Sequence, residues 1–323
     1  MDSEVLLIVN PRSGVDKNKD SIIESAARLC ERQGLRFNLE FTSKAGDAAG
    51  FARKGAEEGF AKVLVAGGDG TVKDAADGLW GSDTALGILP MGSGNGLARS
   101  LGIPQEGEKA LHVALGPGTV SIDRGIADGK TFYSAFGVGF DAEVSFQFSQ
   151  DKRRGRTTYI KHAVRELFTY RPRKFVLEID GIEIPTEALL IAVCNCKQYG
   201  NNAYIAPKAD PTDGFLDVTV VHKGNFFSET LAGLELFSGT LDRNILVKIF
   251  RTESLVIKGA GPTMTHTDGE PAEMGASIPI ICEKKGLNVM IPETTEPFRP
   301  IFTPMKSIWE DMIADLRKSI DRI

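Results

Sequence analysis

Four cysteines in 323 residues leave no material for a disulfide framework. Cys194 and Cys196 flank a single asparagine and would share one face of a strand. No histidine or second cysteine pair stands nearby in sequence to complete a metal site, so both read as buried reduced thiols. No apolar run approaches the roughly 18–20 residues needed to span a bilayer. The opening MDSEVLLIVN lacks the basic flank and cleavage site of a signal peptide. A cytoplasmic location is therefore expected, with membrane contact confined to the periphery. Internal repeats and low-complexity linkers are missing as well. A net charge of −5 argues against a bulk nucleic-acid binder. Hydrophobic content of 42% and charged content of 25% exclude a disordered chain, and the length predicts two domains.

The first hundred residues alternate strands and helices, joined by loops of small residues. Val5 to Val9 is an apolar strand, followed by Asn10-Pro11-Arg12-Ser13-Gly14. A helix over Asp20 to Gln33 stops at Gly34, a strand runs from Leu35 to Thr42, and a second helix spans Ala45 to Gly59. Lys62 to Leu79 begins as a buried strand, passes through Gly67-Gly68-Asp69-Gly70 and enters a helix at Thr71, with Val72, Ala75, Ala76 and Leu79 at helical spacing. Strand, glycine turn and helix start form the layout in which backbone N–H groups approach a phosphate. A carboxylate at Asp69 is repelled by phosphate oxygens unless a divalent metal or a proton intervenes. The loop thus reads as a phosphate site with metal or proton chemistry, against the alternative of a plain tight turn. Ala85 to Leu89 is a further strand, followed by Met91-Gly92-Ser93-Gly94-Asn95-Gly96 and a helix start at Leu97. Three such loops imply a parallel sheet with its loops gathered at the carboxyl ends of the strands. None is a Walker A loop and none is GxGxxG.

From about Val120 the chain turns β-rich. Thr131 to Phe140 is dense in aromatics and glycine, and Lys174 to Ile184 is a hairpin turning at Asp180-Gly181. Strands are predicted at Glu187–Asn195, Phe215–Val221, Ser254–Lys258, Ser277–Cys282 and Leu287–Ile291. Helices are inserted around Thr158–Tyr170 and Phe226–Phe250. The fold class predicted is an α/β N-terminal domain with a parallel sheet (1–122), followed by an all-β sandwich domain (123–299). An amphipathic C-terminal helix over Met305–Ile323 (within 300–323) returns to the first domain.

Taken in order, Asn10-Pro11-x-Ser13-Gly14, Gly67-Gly68-Asp69-Gly70-Thr71, Gly92-Ser93-Gly94-Asn95 and Asp268-Gly269-Glu270 resemble the motifs of the diacylglycerol kinase catalytic family, which includes soluble bacterial lipid kinases and sphingosine kinases. The resemblance covers nearly the whole chain. It implies a two-domain fold related to NAD kinases and ATP-dependent phosphorylation of the hydroxyl of diacylglycerol or a related long-chain lipid, with Mg²⁺. A sphingoid base is the alternative acceptor and, more remotely, NAD. By position it implies nucleotide binding at Asn10, Pro11, Arg12, Ser13, Gly14, Thr42, Gly67, Gly68, Asp69, Gly70, Thr71, Lys73, Gly92, Ser93 and Asn95. Asp69 would sit at the phosphates with catalytic magnesium, and Asp268 or Glu270 would be the general base. Asp141 is similar to an acid placed at the lipid head group in sphingosine kinases. Asp210, Asp213 and the carbonyl of Phe215 resemble a structural Mg²⁺ loop. Gly96 stands where many diacylglycerol kinases carry Asp, a departure that bears on the substrate.

Chemistry supports these roles independently. Phosphoryl transfer asks mainly for positioning and charge neutralisation, which two glycine loops and a metal near Asp69 would supply. A lipid alcohol must lose its proton as it attacks, and a carboxylate in reach can take it. Sequence does not choose between Asp268 and Glu270, and His266 reads as a bystander. For Asp141 a buried structural acid competes with the substrate role, and for the Asp210–Phe215 loop a β-turn competes with the metal. A basic stretch from Lys152 to Lys174 would seat the enzyme on anionic lipid, against the alternative of a solvated helix face. Oligomeric state is left open, a homodimer included. A long apolar channel ending at Asp268 would select a lipid; a short polar pocket would not.

Overall fold

In the computed structural model, which describes residues 4–14, 19–150 and 170–294, the apolar runs of the first half become a parallel sheet. Its strands are β1 (Glu4–Val9), β2 (Arg36–Phe41), β3 (Lys62–Gly67) and β4 (Ala85–Pro90), in the order β2-β1-β3-β4. The helices between them are α1 (Lys19–Arg32), α2 (Asp47–Glu57) and α3 (Asp69–Leu79), followed by α4 (Gly96–Ser100) and α5 (Gly107–Ala114). Val5, Leu7, Val63, Leu64, Val65 and Leu86 are fully buried, as near-continuous apolar strands covered on both faces must be. The ends of β1, β3 and β4 therefore lie side by side.

The second half contributes β5 (Thr119–Ala127), β6 (Lys130–Phe132), β7 (Ala135–Gly139), α6 (Phe140–Gln150), β8 (Arg173–Ile179), β9 (Ile182–Ala188), β10 (Leu190–Cys194), β11 (Leu216–Val221), α7 (Phe226–Ser238), β12 (Val247–Thr252), β13 (Ser254–Gly259), β14 (Thr263–Thr267), β15 (Glu270–Met274) and β16 (Ser277–Met290). An antiparallel sheet runs β12-β11-β10-β7-β14-β15. It packs on the strands β16-β13-β8-β9 through Phe136, Val138, Ile191 and Val218 on one side and Leu177, Leu255, Ile257 and Ile280 on the other. This is the sandwich expected. One feature was not expected. The parallel sheet continues into the second half, because β16 lies beside β4 with Val289 in parallel register to Leu86. The two halves thus share one sheet.

Several boundaries differ from the sequence reading. The strand expected over Glu187–Asn195 breaks at Leu189, whose carbonyl accepts from Phe140 N–H. The helix expected over Phe226–Phe250 ends at Ser238 because Gly239 adopts φ +73° and closes the last turn, and the chain re-enters the sheet as β12. The segments expected at Ser277–Cys282 and Leu287–Ile291 are one strand, β16, irregular between Glu283 and Leu287. The helix around Thr158–Tyr170, apart from Tyr170, lies outside the described residues, as do the C-terminal helix and most of the basic stretch. All four cysteines are free, and Cys194 and Cys196 are fully buried. No helix among the described residues is long and apolar enough to cross a membrane.

Candidate active site

Three loops meet at the ends of β1, β3 and β4. In the first, the Asn10 side-chain amide donates to Thr71 Oγ1 (2.8 Å), and Ser13 Oγ accepts from Gly68 N–H (3.2 Å). The second and third loops touch through their backbones. A Cβ on Gly92 would stand 2.9 Å from Gly68 Cα, so no side chain fits there. Asp69, the first residue of α3, turns its carboxylate onto the third loop. Oδ2 accepts from Asn95 N–H and Oδ1 from Gly96 N–H, each at 2.8 Å. Burial pushes the Asp69 carboxyl above its usual range, and these two N–H donors pull the other way. Thr42, buried at the end of β2, donates its N–H to Val9. Pro11, Arg12 and Ser93 are exposed on the rim, and Gly14 turns the chain at φ +74°. Asn10, Ser13, Gly68, Asp69, Thr71, Gly92 and Asn95 thus meet at the start of α3.

The late acids arrive from the other half on the turn between β14 and β15. Asp268 and Gly269 carry φ +50° and +84°, the paired positive values that a two-residue hairpin requires. Their two carboxylates differ sharply. Asp268 accepts from three backbone N–H groups, those of Tyr133 (2.8 Å), Ser134 (2.7 Å) and Ala135 (3.0 Å). Burial pushes its pKa up to about 6 against those donors. Glu270 is exposed, and among the described residues its carboxylate makes no hydrogen bond or ion pair. Its Oε1 lies 3.0 Å from the point that a Cβ on Gly70 would occupy, directly over the glycine-aspartate loop. Geometry therefore separates the two acids that sequence left equivalent. Asp268 is an anchor, and Glu270 is available to a ligand.

Glu270 and Lys73 face a cavity of about 380 Å³, with Lys130, Thr131 and Thr267 on its walls. A smaller space of about 20 Å³, room for one water, lies between Asp69, Lys73, Tyr133 and Asp268. The larger cavity is lined mainly by polar side chains. It is not the long apolar channel posed for a lipid acceptor.

Asp77, which the sequence reading passed over, joins the halves. It accepts from Thr131 Oγ1 (2.9 Å) and Tyr133 Oη (3.0 Å), and pairs with Lys73 (3.4 Å) and Arg124 (3.5 Å). Arg124 also stacks on Trp80 at 3.9 Å and pairs with Glu283. The i,i+4 spacing of Lys73 and Asp77 on one helix was the available signal. Asp77→Ala strands two hydroxyl donors and two cations. It is expected to cost about 2–4 kcal/mol, read as a lower thermal midpoint.

Two expected site groups have their carboxylates engaged within the protein. Asp141 lines neither cavity. It is 5% exposed, with Oδ1 accepting from Ala142 N–H and Oδ2 bonded to Tyr199 and His266. The acidic loop does not fit a divalent ion. Asp213 gives one oxygen to Phe215 N–H and the other to the Arg251 guanidinium, which also lies over the Phe215 ring. Asp210 Oδ1 is taken by Thr212 N–H and Oγ1. The Arg251 guanidinium already neutralises Asp213. EDTA is therefore expected to leave the thermal midpoint unchanged, whereas Arg251→Ala lowers it by about 2–4 °C for roughly 1 kcal/mol lost.

Residues 4–126 match the model of the diacylglycerol kinase catalytic domain, and residues 134–290 match that of the YegS C-terminal NAD kinase beta sandwich-like domain. The protein named Probable lipid kinase YegS of Escherichia coli O6:K15:H31 is 30% identical over 223 residues, covering 67% of this chain and 73% of the relative. Its namesake in Shigella boydii serotype 18 has the same figures. A solved structure of a diacylglycerol kinase from Bacillus anthracis superposes with TM-score 0.69 at 19% identity, over 91% of this chain and 98% of that one. Another from the same organism reaches TM-score 0.76 at 23% identity, over 91% and 97%. These two likenesses bear on the fold.

Proposed function

This chain belongs to the diacylglycerol kinase catalytic family of lipid kinases, and from that premise we propose that it transfers the terminal phosphoryl group of ATP to the hydroxyl of diacylglycerol or a related long-chain lipid alcohol. The observation that carries the reading is the placement of Glu270 over Gly70, a carboxylate with no partner among the described residues that faces the start of α3. The N–H groups of Gly70 and Thr71 and the positive end of α3 favour phosphate oxygens. Lys73, held by Asp77, adds an ammonium on the same side. Glu270 takes the proton of the acceptor hydroxyl as that oxygen attacks phosphorus. The donor set at Asp69 suits Mg²⁺: a hard, half-buried carboxylate whose oxygens each keep a lone pair beyond the two N–H bonds. Bound there, Mg²⁺ would supply charge neutralisation at the phosphates.

In this reading residues 1–122 carry the nucleotide and residues 123–299 present the acceptor. The polar cavity beside Glu270 takes the head group alone, and the acyl chains stay in the bilayer against which the enzyme works. The same polar lining also suits a water-soluble acceptor of the NAD type, which makes that the second reading. The test is transfer of radiolabelled phosphate from ATP, with Mg²⁺, to diacylglycerol, sphingoid base, ceramide and monoacylglycerol in vesicles, and to NAD in solution. Label in diacylglycerol is expected. Label in NAD alone supports the second reading, and label in no acceptor with folded protein overturns both.

A further inference from the structure

Three side chains form a buried chain of contacts from the third glycine loop to the turn that carries Glu270. At one end, Asn201 N–H donates to the Gly94 carbonyl (3.3 Å), and Gly200, at φ +120°, packs against the Gly94 backbone. The neighbouring Tyr199 donates its hydroxyl to Asp141 Oδ2 (2.7 Å). His266 Nε2 stands 3.2 Å from the same oxygen. At the far end, Gly269 N–H donates to His266 Nδ1 (3.3 Å). Asp141 and His266 are 5% and 2% exposed. Gly137 makes their meeting possible, since a Cβ there would fall 2.2 Å from Asp141 Oδ2 and 2.4 Å from His266 Nε2.

The partners fix the tautomer. A backbone N–H only donates, so Nδ1 presents its lone pair to Gly269 and the ring proton sits on Nε2, donated to Asp141. His266 is thus held from both sides, and it holds Gly269, the residue between Asp268 and Glu270. Asp268 is pinned separately by three N–H groups, but Glu270 has no bond of its own among the described residues, so its direction follows from the turn.

We propose that His266 is a positioning residue for phosphoryl transfer: braced by Asp141 and Tyr199, it accepts the Gly269 N–H and so fixes the Glu270 carboxylate over the glycine-aspartate loop. This rests on the assignment of Glu270 as proton acceptor in the function proposed above.

Two substitutions separate the bonds. In His266→Asn the amide oxygen stands near Nδ1 and keeps the Gly269 acceptor while the link to Asp141 is lost. In His266→Gln the amide nitrogen reaches Asp141 and the Gly269 acceptor is lost. Amide exchange at Gly269, thermal midpoint, kcat and KM for ATP are measured on each. His266→Gln is expected to speed Gly269 exchange about tenfold and to lower kcat about 10–100-fold at unchanged KM for ATP. His266→Asn, which keeps the acceptor but loses the brace, is expected to fall between wild type and His266→Gln in both protection and kcat. Equal losses of kcat in the two variants, in step with their thermal midpoints, would reduce His266 to a packing residue. A His266→Gln variant with fast Gly269 exchange and wild-type kcat overturns the proposal too. Nitrogen-15 spectra of histidine-labelled wild-type protein need no variant: the Nε2–H form is expected, and the Nδ1–H form excludes the bond to Gly269. Should the wild-type protein phosphorylate no acceptor, the proposed function fails, while exchange and tautomer still decide whether the brace exists.

Discussion

Glu270→Gln is expected to lower kcat by about 10²–10⁴-fold, the usual worth of a general base, with the thermal midpoint and KM for ATP near their wild-type values. Glutamine keeps the size and polarity of the side chain but cannot take a proton. Stability should hardly change, because the carboxylate is exposed and engages no described partner. Steady-state kinetics on the preferred acceptor, beside a thermal melt, check both halves of this expectation. Retained turnover in this variant would move the base elsewhere, and Asp69 is the acid that remains on the same face.

The companion acid is expected to behave in the opposite way. Asp268→Ala leaves the N–H groups of Tyr133, Ser134 and Ala135 without their acceptor. The expected cost is about 3–5 kcal/mol, with a thermal midpoint lower by roughly 10 °C. Its titration sets a sign as well. With a folded pKa of about 6, above the roughly 3.9 of an unfolded Asp, the carboxyl binds its proton more tightly when folded. Its contribution to stability is fully present below about pH 4 and is lost as pH rises through about 6. Asp217, also pushed up to about 6 by burial, adds a slope of the same sign. Urea unfolding between pH 4 and 7 is therefore expected to show falling stability. Asp268→Asn, compared with its own value at pH 4, should flatten that slope without abolishing it. A slope identical to wild type would contradict the buried, proton-binding state of Asp268.

The elements that local pattern decides were legible. β1, β3 and β4 are apolar runs closed by glycine loops, and alternation of strand and helix implies parallel pairing and loops on one edge. Asp-Gly at 180–181 marked a hairpin, because positive φ at both turn positions favours those residues. Hidden were the contacts set by long-range register. Nothing local to β16 announces that Val289 would lie beside Leu86. β5 went unread because Asp123 and Arg124 interrupt its alternation. Both are satisfied by distant partners: Asp123 by Gly214 and Lys285 N–H, and Arg124 by Trp80 and Glu283. The same limit applied within the site. Sequence brought Asp268 and Glu270 forward together, but only tertiary contacts separate the carboxylate held by three N–H groups from its unengaged neighbour. His266 read as a bystander because its partners lie 125 residues upstream and across a turn.

The most direct test is a crystal structure with Mg²⁺ and a non-hydrolysable ATP analogue. The terminal phosphate is expected over Gly68 to Thr71, with Lys73 beside it and the Glu270 carboxylate across a gap that one hydroxyl group fills. An analogue bound away from the three glycine loops, or bound there with Glu270 turned out of reach of its terminal phosphate, would contradict the site described.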